Sequence, residues 1–597
     1  MAGAKQKKSR RFAPLSLIFG LPSAASVVAM TIAVVLVAAT ATEAVAQSGT
    51  WSAVTGGNWS NSANWQGSTI ASGSGNAATF NLSSGTTVTL DSNYTLQSLS
   101  FSNPNWTLGG SGTLTFAGGG TRSISAPNSG TVTVSAALSG VTWTKFGNGT
   151  LLLTNGNNSN GQITVNNGTL QVADTTVYGP GNQAITTTVM GTNGVNVGGR
   201  TLELRYNGQN DDTSQILTMS ATPGAVLFAN GAVVDVNRQG GTGANKTIGI
   251  GRLESNSGST VTFTGGNGYA LQASQLVLQA NGTSVTLNPT TARVSILGSV
   301  GGFGVNAKTL TLGGTAAGNS MAANIGNATG VVSLAKANSS SWTLSGSNTF
   351  SGSTSITGGL LEIASTGRFT ATTGITLDGS NAEFRYNSAT ALARPFTLTQ
   401  GTLSGTGTIN TAVSVGSNAI LSPGNSPGTQ AFSAGLTWAP GGTYRWELAA
   451  LTGVPGTTWD LLDITAGVFD LSGLGAAEGS RFALDLATLG AGGASGPLAG
   501  GYDGGTYSFL IADFGGAAFT VPGTFSTAAG SDLTPLFSLN PANWQGPQPE
   551  VGNMSVRVNS TGTGLELIIV PEPGAVALAG VGIGLVGWAV TRRRRKK

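Results

Sequence analysis

Three pairs of charged side chains lie close enough in the sequence to cooperate in bond cleavage: Asp460 with Asp463, Asp235 with Arg238, and Asp211 with Asp212. Glycoside cleavage uses two carboxyl groups about 5–10 Å apart. The run Asn210-Asp211-Asp212 could also offer oxygen ligands to a calcium ion, although such sites gather a denser set. None of the three stands in a recognisable catalytic motif, and solvation or turn formation accounts for each. The 597 residues include no histidine and no cysteine. That excludes imidazole bases, thiolate nucleophiles, disulfides and Cys/His metal sites. The expectation is therefore no catalytic residue, no metal and no cofactor.

Two further groups have the right chemistry for binding. Trp51, Trp59 and Trp65 fall within fifteen residues of one another, and indole faces stack well on sugar rings. The competing and favoured reading makes them an apolar lid over the first turn of a stacked fold, whose open end needs cover. Lys145 and Lys336 recur at equivalent places in two similar segments, at a turn edge where solvation or bonding to the turn suffices.

The elements that must position these groups are strands. Charged residues make up 8% of the chain, against about 25% in an ordinary soluble domain. Ninety-three glycines, with Thr, Ser and Asn, take the place of lysine and glutamate. Period-two runs of four or five residues, bounded by Gly and Asn, fill Thr150–Thr154, Gln162–Val165 and Thr169–Val172. The fold class expected is all-β. The net charge of +4 misleads, because eleven cations sit at the two ends. Without them, and without Glu43 and Glu572, 16 basic groups face 21 acidic ones, so residues 47–570 carry −5. A nucleic-acid partner loses its electrostatic support.

Residues 143–172 and 334–363 are copies of one unit. Lys145 matches Lys336, Leu151–Leu153 matches Trp342–Leu344, and Gly168–Leu170 matches Gly359–Leu361. In the second copy Asn338–Ser341 replaces the glycines after the lysine, so its first turn is expected to differ. The pattern resembles the autotransporter-associated β-strand repeat. That resemblance implies a right-handed parallel β-solenoid (β-helix), here over residues 47–440 at about 20–25 residues per coil. Residues 441–569 change texture to longer alternating strands. They read as a β-rich end segment, either closing coils or a small sandwich.

The ends read as addresses. Residues 1–46 have a basic start, the apolar run Val27–Ala39 and a small-residue cleavage motif at Ala44-Val45-Ala46, as a secretory signal peptide does. Residues 570–597 hold Val570-Pro571-Glu572-Pro573, an uncharged transmembrane-length run at 574–590, and the basic stop Arg592, Arg593, Arg594, Arg595, Lys596 and Lys597. This tail resembles the PEP-CTERM sorting signal. The resemblance implies Sec-dependent export, a transient inner-membrane tether through a C-terminal transmembrane helix, and recognition by an exosortase. The destination it implies is the cell surface or extracellular polysaccharide matrix of a Gram-negative bacterium. Such an ending also argues against a self-translocating autotransporter, which ends in a membrane β-barrel. The expected function is a structural or adhesive surface protein that meets extracellular polysaccharide in a biofilm-like matrix. The alternatives are a polysaccharide lyase or glycosidase built on a β-helix, and a carbohydrate-binding surface protein.

Overall fold

The computed structural model describes residues 46–571, apart from 157, 175–184, 187–189, 191–192, 209–215, 219–224, 256–257, 280–283, 303–304 and 328. Among the described residues the chain is short strands and turns with five single-turn 3-10 segments and no α-helix. Among the described residues, thirty-seven strands are linked by hydrogen bonds into one sheet, and every strand pairing within it is parallel. Parallel pairing of strands this short has a direct cause. Each unit of β-branched residues and leucine has an apolar face that it cannot cover alone, so successive coils stack like on like.

Register shows the stacking. Thr131 sits beside Thr150, and Thr150 beside Thr169. Leu151, Leu170 and Leu202 form one inward row, and Leu153, Val172 and Leu204 the next. All six are buried, each worth about 1.5–3 kcal/mol relative to exposure. Aromatic rings obey the same register: Phe80 lies over Phe101 with centroids 4.7 Å apart. Inward asparagines satisfy the backbone at corners. Asn348 accepts from the Ile325 amide at 3.1 Å and donates to the Gly346 and Arg368 carbonyls, so one side chain ties three coils.

Coil length varies more than the expected 20–25 residues. It is 19 residues from Thr150 to Thr169, 32 from Gln171 to its register partner Glu203, and 55 from Asp485 to Asn540. The strands keep register while the extra chain leaves at corners, where loops disturb no pairing. Some strands run around a corner. Thr247–Ser255 pairs through its first part with Ile216–Thr218 and through its second with Ala225–Phe228.

The pairing continues past residue 440 without a break. Thr443–Leu448 lies between Ala419–Pro423 and Phe482–Thr488, parallel to both. Leu461–Ile464 and Val468–Asp470 likewise continue the coils before them. Residues 441–569 are thus closing coils rather than a separate sandwich. Among the paired strands the last turn reverses: Gly564–Ile569 runs antiparallel between Tyr507–Asp513 and Met554–Val558.

Candidate functional site

In the repeat, the strand Trp143–Phe146 alternates inward and outward, with Trp143 and Lys145 inward. Parity therefore drives a lysine into the core at the end of a strand. Lys145 is fully buried, and its ammonium donates to the carbonyls of Gly147 (2.6 Å), Gly149 (2.6 Å) and Asn167 (2.7 Å). Two of these belong to its own turn and the third to the next coil. Three donors meet three acceptors, which is what a buried ammonium requires. Lys336 does the same with Ala337 (2.9 Å), Asn338 (3.1 Å) and Gly358 (2.8 Å). Burial pushes both amines down to about 8. The turn-bonding reading of these lysines is correct and the solvated one is not.

The charged pairs do not converge. On the strand before Ile464, Asp460 points inward and Asp463 outward. Asp460 is fully buried and accepts from the Gly428 amide at 2.8 Å and the Glu447 amide at 3.0 Å. Burial, followed by the charge of Glu447, raises its carboxyl well above the usual range. It is a backbone clamp between two coils. Asp463 stands in register with Asp513; partial burial and that neighbour raise its carboxyl. Asp235 is paired with Arg205 at 2.6 Å, and Arg205 also reaches Glu203 at 2.9 Å. Arg238 turns instead to the Gly243 carbonyl. Asp211 and Asp212 lie outside the described residues.

The sugar-stacking expectation for Trp51, Trp59 and Trp65 is corrected. Their exposures are 0%, 0% and 2%. Trp65 packs edge-on against both others, with centroids 5.1 Å and 4.8 Å away, and all three lie over Phe80. Each indole N–H has an acceptor: the carbonyls of Ala53, Ala71 and Trp59 respectively. The three rings close the end of the core and leave no ring face to a ligand.

One concave feature escaped the sequence reading. Val413–Val415, Leu436–Trp438, Val468–Asp470 and Ala518–Thr520 form a four-stranded parallel sheet. Across it Ser414, Thr437, Asp470 and Thr520 stand in one row, in register. Beside that row lies an open trough of about 680 Å³. The Thr520 hydroxyl (2.6 Å) and the Ser472 amide (2.9 Å) donate to Asp470 Oδ1. These bonds, with one from the Ser472 hydroxyl, hold the carboxyl below its usual range. Its residues come from four coils, so no local motif could reveal it. The only sequence signal was a polar residue at the outward position of each strand.

Of the terminal signals, Ala44 and Val45 lie outside the described residues, as do Glu572, Pro573, the apolar run 574–590 and Arg592–Lys597. Ala46 is described, and the Gln47 amide next to it donates to the Ser72 carbonyl at 2.7 Å. Val570 donates its amide to Asn553, and Pro571 follows it. Among the described residues no helix is long and apolar enough to cross a membrane.

Fold and repeat together define the class: a long parallel β stack of the solenoid kind, with lysine-clipped coils. A family model described as the passenger-associated-transport-repeat matches residues 144–172 and 334–363. No curated protein and no solved structure matches the chain. The matched repeats are those of autotransporter passengers, and they mark the chain as an exported, passenger-like surface protein.

Proposed function

We propose that this protein is an exosortase-sorted structural or adhesive component of the cell surface or extracellular polysaccharide matrix, without catalytic activity of its own. The observation that carries the reading is the continuous coil stack. Its buried polar groups serve the backbone, as Lys145, Lys336, Asn348 and Asp460 do. Its outward rows are largely Ser, Thr and Asn, with few charges. Such a surface meets hydroxyl-rich polymers by hydrogen bonding and resists non-specific charge-driven association. The N-terminal signal over residues 1–46 and the tail that begins at Val570-Pro571-Glu572-Pro573 together supply the route: Sec export, a transient membrane tether, then exosortase processing.

The test is display. The chain is expressed with an exosortase in a Gram-negative host, and intact cells are probed with antibody and extracted for matrix. Antibody access and matrix retention are expected. Both should be lost when Pro571, Glu572 and Pro573 become alanine, with the precursor then held in the inner membrane. Wild-type protein that stays inside the cell would sink the reading. Incubation with a panel of matrix polysaccharides should yield no new reducing ends and no unsaturated products.

A further inference from the structure

We infer that the trough beside the Ser414–Thr520 row is a binding subsite for a neutral polysaccharide chain. The inference rests on the matrix reading above and names where the contact is made. Four observations carry it.

The first is charge. No Lys or Arg lines the trough, and its one ionisable group is Asp470. A fixed carboxylate there accepts hydrogen bonds from sugar hydroxyls and repels uronate, sulfate or phosphate groups. Second, the carboxylate is already aimed. Donors from Thr520 and Ser472 fix its orientation before any ligand arrives, so little ordering remains to be done on binding.

Third, the polar row repeats at the strand spacing of about 4.8 Å, comparable to one pyranose unit. A chain laid across the strands can therefore present one sugar to each coil. Fourth, the floor is clear. Gly435 and Gly467 occupy the left-handed region, at φ 103° and 82°, and bring no side chain into the trough. Val468, 43% exposed, stands beside them as an apolar surface for the C–H face of a ring. The occupant that fits is neutral, hydroxyl-rich and extended. The buried tryptophans at the other end of the chain are not needed for it.

The experiment is affinity electrophoresis of the exported protein through gels containing hydroxyethyl cellulose, dextran or alginate. Retardation by at least one neutral glucan and none by alginate is expected. Thr437→Trp fills the trough and Asp470→Ala removes the acceptor; each should weaken binding at least tenfold. Asp470→Asn, nearly isosteric, guards against misfolding of the other two and should also weaken it. Circular-dichroism melts check that each variant is folded. No retardation by either neutral glucan, retardation only by alginate, or wild-type retardation of folded Thr437→Trp and Asp470→Asn would each overturn the inference. Matrix retention separates the two levels. If the wild type is displayed and the trough variants stay in the matrix equally well, the trough is wrong and the surface role stands. If the wild type is never displayed, the surface role itself fails.

Discussion

Two residues after Lys145 the chain turns at Gly147, with φ 78°; two residues after Lys336 it turns at Asn338, with φ 57°. Both are left-handed, so the second repeat reaches the same turn without the glycine. The difference lies one coil earlier. A Cβ at Gly147 would run into the Ala126 carbonyl. Below Asn338 the preceding coil is Gly313-Gly314, and a Cβ at Gly313 would come within 3.1 Å of Asn338 Oδ1. The small residue has moved from the turn to the coil beneath it. What both copies keep is the lysine, its bond to a carbonyl of the next coil, and a left-handed glycine beside that carbonyl: Gly168 at φ 65° and Gly359 at φ 64°. The invariant of the repeat is thus an ammonium clip and the bare backbone next to it, while the first turn is negotiable.

Removing the clip should have the largest effect. Lys145→Met or Lys336→Met takes the ammonium donor away from three carbonyls at the turn and is expected to cost about 3 kcal/mol. Amide hydrogen exchange at Thr150–Leu153 and Thr169–Asp174, or at the matching strands of the second copy, should report the loss locally. An unchanged exchange rate would mean that the clip is dispensable. The same variants carry a pH signature. The folded amine titrates near 8 and the unfolded one near 10.5. Between these values the unfolded chain holds more protons, so raising the pH favours the fold. The wild type's advantage over the Met variants should grow from about pH 8 and level off near 10.5, read from urea midpoints.

Next comes the glycine beside the clip. A Cβ at Gly168 would strike the Asn148 carbonyl, and one at Gly359 would strike the Ser340 carbonyl and the Lys336 ammonium. Gly168→Ala and Gly359→Ala are each expected to cost about 2 kcal/mol, from left-handed strain and the clash together. The smallest effect tests the negotiable turn. Asn338→Gly should fall within about 0.5 kcal/mol of wild type, whereas Gly147→Ala, left-handed and run into the Ala126 carbonyl, should cost at least about 2 kcal/mol. Equal responses in thermal melts would mean that the two turns are not solved differently.

The strands of the repeat were legible because their alternation and their Gly/Asn boundaries are local. Thr150–Leu153 and Ile163–Val165 fall within a residue of expectation. Residues 441–569 resisted because parallel partners are distant: Arg445 pairs with Asp485 forty residues on, and nothing near either names the other. Strand parity decides two further points. Trp143 and Lys145 share a face, which buries the lysine. Asp460 and Asp463 do not, which separates the carboxylates. The trough needed register across Ser414, Thr437, Asp470 and Thr520, a property of the stack and of no single coil.

The clip has a consequence for the surface. All four lysines among the described residues, Lys145, Lys246, Lys308 and Lys336, are buried. The described side chains therefore present guanidinium groups to the outside but no primary amine. Reducing sugars that glycate amines, acylating reagents, and proteases that cut after lysine find no side-chain target on the folded coils. A coil stack that turns its described lysines inward is chemically quiet toward reagents of this kind.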